Sequence, residues 1–318
     1  MTIDTLNTSF ATDVRLEHAS AVWSQIGNTP LVRLTRLAPE LPDSVELYAK
    51  LEWANPGGSV KDRPAAGIIR RALAEGELAP GRTLLDSTSG NMGIAYATLC
   101  APLAIPVHLV VPANASQERQ IMLRALGAQL TLSDALEGSE GARTLAAALA
   151  AESPKRYFYA NQYDNPANWQ AHFEGTGPEI LAQTHGRVTH FVAGLGTTGT
   201  LTGVGRFLHQ ARPEARIVGV QPDGPLHGLE GLKHLPSSDE PGIYDPGLVD
   251  RMEAVTTEAA YAMLHRLAQR EGLLAGVSSA AALSAGLRLA RELDRGVIVV
   301  VFPDSAAKYL SQPVWNSA

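Results

Sequence analysis

A chain of 318 residues with 26 Lys and Arg against 32 Asp and Glu, a formal net charge of −6, has room for a large apolar core and no basic block to offer a nucleic acid. Its single cysteine, Cys100, excludes intramolecular disulfides, Cys-x-x-C redox chemistry and cysteine zinc sites, and reads as a small core hydrophobe. The N-terminus lacks a basic segment followed by an apolar one, and no run of about 18 uncharged apolar residues follows, so a cytoplasmic protein with no membrane partner is expected.

Residues 1–20 are polar and read as an arm that is loosely held or donated to a partner subunit. From about residue 45, short apolar runs alternate with segments whose apolar residues recur three and four apart. The pattern predicts strands at 45–51, 83–87, 107–112, 128–134, 189–195, 216–221, 249–256 and 296–303. Between them it predicts helices at 62–75, 91–101, 116–126, 139–152, 197–210, 258–271 and 279–293. Such alternation favours an α/β fold with mostly parallel sheet covered by helices on both faces, and ligands at the carboxyl ends of the strands. A domain break is expected near NQYDNPANW (161–169).

FVAGLGTTGT (191–200) places glycines at 194, 196 and 199, the spacing of a dinucleotide fingerprint, between a predicted strand and a predicted helix. Strand, glycine turn and helix start form a general anion cradle, since backbone N–H groups and the helix dipole face outward there. The dinucleotide reading also needs an acidic residue at the end of the next strand, and that place falls to Gln221, with Asp223 beyond a proline. A phosphate site, an NAD site and plain turn glycines all remain open on this motif alone.

Two further stretches carry chemistry. LEWANPGGSVKDRPA (51–65) puts Lys61 after a Gly-Gly-Ser turn at a helix start, where a cation is disfavoured and an amine becomes a reactive Schiff-base former; the plain alternative is a surface lysine paired with Asp62. DSTSGNMGIAYA (86–97) gathers Thr88, Ser89, Gly90, Asn91 and Met92 at another helix start, which suits a carboxylate or serves only as an elaborate N-cap.

Taken with IGNTPLVRL (26–34), NQYDNPAN (161–168), TGPEI (176–180), EGLLAGVSS (271–279) and PDSAAKYLS (303–311), these stretches lie in one order along nearly the whole chain. The set resembles the cysteine synthase group of pyridoxal-phosphate (PLP) enzymes, the β-replacement family of fold type II. GLKHLPSSDEPGIYDPGLVD (231–250) looks like the cysteine synthase B and O-phosphoserine sulfhydrylase branch.

The resemblance implies two domains, each a mostly parallel twisted sheet flanked by helices as in the tryptophan synthase β chain. The smaller, 56–160, would carry the substrate carboxylate loop; the larger, 21–55 with 161–318, would carry the phosphate loop. By similarity Lys61 holds PLP as a Schiff base and moves the proton at the substrate α-carbon. Asn91 meets the cofactor 3′-oxygen, Gly196, Thr197, Thr198, Gly199 and Thr200 receive its 5′-phosphate, and Ser278 faces the pyridine nitrogen. Thr88, Ser89, Asn91 and Gln162 hold the substrate carboxylate.

Met92 stands where the family usually has threonine, which touches substrate choice more than chemistry. Ala280, in GVSSAAAL, stands where glycine is common. Lys233 and His234 form a basic pair that meets a phosphate leaving group, a polyanionic thiol donor, or only solvent. The implied reaction is a ping-pong transfer making L-cysteine from O-acetylserine or O-phosphoserine and a sulfur donor, in a cytoplasmic homodimer with serine acetyltransferase or a sulfur-carrier protein as possible partners. Related β-replacements, cystathionine β-synthase-like or 2,3-diaminopropionate synthase-like, and a non-catalytic binding homologue are the alternatives.

Overall fold

The computed structural model describes residues 20–88, 90–311 and 313–315. The arm expected at 1–20, apart from Ser20, and the site residue Ser89 lie outside them. Among the described residues ten strands form two sheets: β1 Leu31–Arg33, β2 Val45–Leu51, β3 Thr83–Ser87, β4 Val107–Pro112, β5 Gln129–Ser133, β6 Tyr157–Tyr159, β7 His190–Gly194, β8 Arg216–Pro222, β9 Arg251–Val255 and β10 Gly296–Phe302. The chain divides into two compact units. One takes the described residues up to Ile26 together with Asn55–Ala167; the other takes Gly27–Ala54 and the described residues from Asn168 onward.

The first unit holds a four-stranded parallel sheet in the order β5-β4-β3-β6. Because side chains alternate along a strand, Leu84, Val107, Leu109 and Val111 face one core with helices Asp62–Ala74 and Asn91–Cys100, while Leu85 and Val110 face another with Ala142 and Ala146 of helix Gly138–Glu152. Both faces are covered, which is why VHLVVP is buried at every position. Cys100 lies fully buried in the first of these cores, and burial pushes its thiol pKa up, as expected of a packing residue. Trp23 joins the same core and its Nε1 donates to Leu99 O at 3.1 Å, which ties residues 20–26 to this unit.

The second unit holds a six-stranded sheet in the order β1-β2-β10-β7-β8-β9, parallel except for β1 on β2. Val192, Val218, Val220, Ile298 and Val300 face helices Thr257–Glu271 and Val277–Arg291; Phe191, Ala193, Ile217, Val299 and Val301 face Leu201, Val204 and Leu208 of helix Gly199–Ala211. The buried Lys50 of β2 donates to Thr29 O at 2.8 Å, Glu179 Oε2 at 2.7 Å and Gln183 Oε1 at 2.8 Å, so all three ammonium protons are placed. Glu179 Oε1 accepts from Asn28 N at 3.0 Å, and the same knot thus fixes the GNTP turn.

The alternating pattern gave the α/β class correctly, and most predicted elements appear within two residues of their expected ends. Three-residue strands β1 and β6 fall below the length at which alternation is visible, and their pairing partners alone make them strands. The segment of helices Ala167–Ala171 and Gly177–Gln183, with a π-turn at His172–Thr176 between them, was not expected; its prolines and glycines hide the helical period.

Candidate functional site

In the first unit the chemistry gathers at two helix starts. Lys61 is half-buried at the N-cap of helix Asp62–Ala74, and its backbone N–H donates to Ser59 Oγ at 3.2 Å. The turn before it is closed by Asp62, whose buried carboxylate accepts from Gly57 N; a Cβ on Gly57 would lie 2.6 Å from Asp62 Oδ1. Gly58 takes φ 76°, a left-handed conformation that favours glycine. The carboxylate of the SVKDR stretch is thus committed to shaping the turn that presents Lys61.

Strand β3 ends at Ser87, and Asn91 opens helix Asn91–Cys100. Thr88 is buried and its Oγ1 accepts from Gly90 N at 3.1 Å and Gly93 N at 3.2 Å. Since the oxygen is the acceptor in both, the Thr88 proton remains available to donate. Gly93 has no room for a side chain, because its Cβ would stand 2.6 Å from Thr88 Cγ2. Gln162 Nε2 donates to Ser87 O at 2.8 Å, which holds Gln162 at the end of β3, next in the chain to Thr88. Met92 is 2% exposed and packs in the apolar core behind the loop.

Beneath this loop lies a carboxyl that sequence reasoning passed over. Asp86 is fully buried and accepts from Ser87 N at 2.8 Å, Tyr96 Oη at 2.9 Å and Gln162 N at 3.3 Å. Burial raises its pKa to about 7, against the lowering effect of these three donors. The Tyr96 hydroxyl is pushed well up, chiefly by burial and then by the Asp86 charge.

In the second unit the predicted phosphate-loop residues follow β7 at its carboxyl end, the end where parallel sheets place ligands. Thr198, immediately before helix Gly199–Ala211, has φ 68°, a strained value for a β-branched residue. Its Oγ1 is buried with no hydrogen-bond partner among the described residues. Gly199 is bare because a Cβ there would lie 2.0 Å from Asn168 Oδ1, and Asn168 Nδ2 donates to Thr197 Oγ1 at 3.2 Å. The helix starts two residues later than its period predicted because Thr198 is left-handed.

Loop 196–200 and Ser278 are brought together through Gly231, which no spacing in the sequence marked. A Cβ on Gly196 would stand 2.6 Å from Gly231 O, and a Cβ on Gly231 3.9 Å from Ser278 Oγ. Ser278 is the second residue of helix Val277–Arg291, which Gly276 N anchors to Asp304 O at 2.9 Å after β10. Ala280 is fully buried in the core of this unit. Lys233 and His234 are half-buried; Lys233 N donates to Leu195 O at 2.7 Å, and His234 Nδ1 shares a 2.7 Å hydrogen bond with Ser237 Oγ. Gln221, where a dinucleotide site wants a carboxylate, has its Oε1 occupied by Leu235 N at 3.2 Å, and Asp223 is exposed.

A strained loop with a buried, unsatisfied threonine hydroxyl, opening a helix whose first N–H groups have no intrahelical acceptor, fits a phosphate. The glycine fingerprint therefore fits a phosphate end without a nucleotide ribose.

Residues 22–304 match the family described as pyridoxal-phosphate dependent enzyme. A cysteine synthase of Aquifex aeolicus is 50% identical over 296 residues, covering 92% of this chain and 90% of the relative. A cysteine synthase B of Pseudomonas aeruginosa is 44% identical, covering 92% of this chain and 96% of the relative. The crystal structure of a cysteine synthase of Entamoeba histolytica superposes with a TM-score of 0.89 at 34% identity, covering 93% of this chain and 90% of that one.

Proposed function

From the premise that the chain belongs to the pyridoxal-phosphate dependent enzymes, we propose that it makes L-cysteine by β-replacement, exchanging the leaving group of O-acetylserine or O-phosphoserine for a sulfur donor. The observation that carries this reading is the placement of the four cofactor-directed groups. Lys61 caps one helix, Asn91 and Gly199 each open one, and Ser278 is the second residue of another. Helix starts are positive, donor-rich ends, suited to a dianionic cofactor and an anionic substrate.

When bound, PLP supplies the electron sink that acidifies the substrate α-carbon. Gly196, Thr197, Thr198, Gly199 and Thr200 hold its phosphate with backbone N–H groups and hydroxyls. Asn91 orients the ring through the 3′-oxygen. Lys61, at the start of its helix, would attach the cofactor and would move the proton at the substrate α-carbon. Ser278 would face the pyridine nitrogen with a neutral hydroxyl, which does not protonate it and so suits a β-elimination better than a transamination. Thr88, with its donor proton, Ser89, Asn91 and Gln162 would hold the substrate carboxylate, and Met92, packed in the core behind the loop, offers it no hydroxyl donor. Lys233 and His234 face the leaving group or the sulfur donor. We place the reaction in a cytoplasmic homodimer, with serine acetyltransferase or a sulfur-carrier protein as the protein partner.

Parallel spectral titrations with O-acetylserine and O-phosphoserine test the proposal. The substrate that shifts the visible cofactor band at the lower concentration is the donor, and addition of sulfide should then restore the band and yield cysteine, whereas thiosulfate should restore it and yield S-sulfocysteine. No shift with either donor would refute the reading. Restoration only by homocysteine or an amine would reassign it to a cystathionine or diaminopropionate synthesis.

A further inference from the structure

The π-turn at His172–Thr176 lies against the phosphate loop. Its ring closes with Gly177 N donating to His172 O, the five-residue spacing that marks a π-helix. Helix Gly199–Ala211 comes unusually close to it, because a Cβ on Gly203 would stand 2.1 Å from Trp169 O and 2.6 Å from His172 Cβ. Gly199 and Gly203 are four apart and so share the face turned to this segment. The close approach brings His172 Nε2 within 3.2 Å of Thr200 Oγ1, while Nδ1 lies 2.9 Å from Thr176 Oγ1. His172 is 1% exposed and Thr176 fully buried, whereas Thr200 is only half-buried. The chain of three polar groups thus runs from the interior outward to the loop.

We infer that His172 is a positioning residue for the phosphate loop, its Nε2–H donating to Thr200 Oγ1 so that the Thr200 hydroxyl directs its single proton at the cofactor phosphate. A threonine hydroxyl has one proton, and a neutral imidazole has one N–H and one bare nitrogen. Two directions of the chain are therefore available. In one, Thr176 O–H donates to Nδ1, Nε2–H donates to Thr200, and Thr200 O–H points outward. In the other, Nδ1–H donates to Thr176 and Thr200 O–H donates back to Nε2, leaving only lone pairs facing a phosphate dianion. The second direction is repulsive toward the ligand, so the first is selected.

The inference rests on the reading of 196–200 as a phosphate loop, and the test separates the two. The full chain is stripped of cofactor and titrated with PLP and with pyridoxal, which lacks the phosphate. Thr200→Val should lose about tenfold in PLP affinity and little in pyridoxal affinity. His172→Phe should show the same selective loss, and the double variant should lose no more than either single one. His172→Gln, whose amide N–H reaches the place of Nε2–H, should restore most of it. Equal losses of PLP and pyridoxal affinity in His172→Phe, or losses that add to those of Thr200→Val, would overturn the inference while leaving the loop reading intact. Wild-type protein that binds pyridoxal as tightly as PLP, with Thr200→Val silent, would sink the loop reading and the inference with it. If His172→Phe does not fold, the 15N resonances of the wild-type holoprotein decide: protonated Nε2 supports the inference, and bare Nε2 with protonated Nδ1 overturns it.

Discussion

Gly196 and Gly231 meet backbone to backbone: a Cβ on Gly196 would stand 2.6 Å from the Gly231 carbonyl oxygen. Gly231 itself has φ 88° and lies beside Ser278, so one contact couples the proposed phosphate end of the site to the proposed pyridine-nitrogen end. A side chain at 196 has to push against backbone, which does not yield as a flexible side chain does. Overpacking of this kind costs about 1–3 kcal/mol. Gly196→Val should therefore weaken PLP retention by about tenfold or more, read as loss of the visible band on gel filtration. Unchanged retention would show that the Gly196–Gly231 contact is not needed to hold the cofactor.

The role proposed for Lys61 is covalent attachment of the cofactor. Borohydride reduction of the holoprotein should label Lys61, found by peptide mapping, and Lys61→Ala should lose the Schiff-base band and about a thousandfold or more in kcat. A Lys61→Ala protein with undiminished turnover would remove the residue from the mechanism.

Asp86 should make stability depend on pH. Its pKa rises from 3.8 to about 7 on folding. Between these values the folded chain holds a proton that the unfolded chain has lost. This contribution to stability is fully present below about pH 4 and is lost as pH rises through about 7, at a slope of at most about 1.4 kcal/mol per unit. Asp86→Asn removes the titration, so its urea midpoint should vary less over that window than the wild-type midpoint does. A variant with the wild-type slope would assign the dependence to another group.

Lys50 is a buried cation whose three protons meet Thr29 O, Glu179 and Gln183. Lys50→Met leaves the Glu179 carboxylate without its ammonium partner and should cost about 3–5 kcal/mol, read from the shift of the urea midpoint. Glu179→Gln combined with Lys50→Met should recover part of the loss. If Lys50→Met unfolds at the wild-type midpoint, the knot does not stabilise the GNTP turn.

Where the local pattern was strong, the fold was legible. VHLVVP and VELYAKL are strands at the predicted bounds because each is a long apolar or alternating run flanked by turn residues. Strands β1 and β6 were not legible, since three residues carry no period. The same limit applies to the site. Lys61, Asn91 and the 196–200 loop stand out because glycine, hydroxyl and amide residues cluster at helix starts. Asp86, His172 and Gly231 do not, because each acts through a partner far along the chain. Asp86 lies 76 residues from Gln162, His172 28 residues from Thr200, and Gly231 35 residues from Gly196.

The sequence by itself determined the alternation of strands and helices, the covered parallel sheets and the residue types at each helix start, because these follow from side-chain periodicity and local turn chemistry. Only the tertiary structure decided which groups the starts are held by. Thr198 is forced left-handed with its hydroxyl unsatisfied, Asp86 is raised toward neutrality by burial, and Gly203 lets His172 reach Thr200. Those outcomes depend on excluded volume and on the removal of water between segments distant in the chain, and neither is encoded in any single stretch.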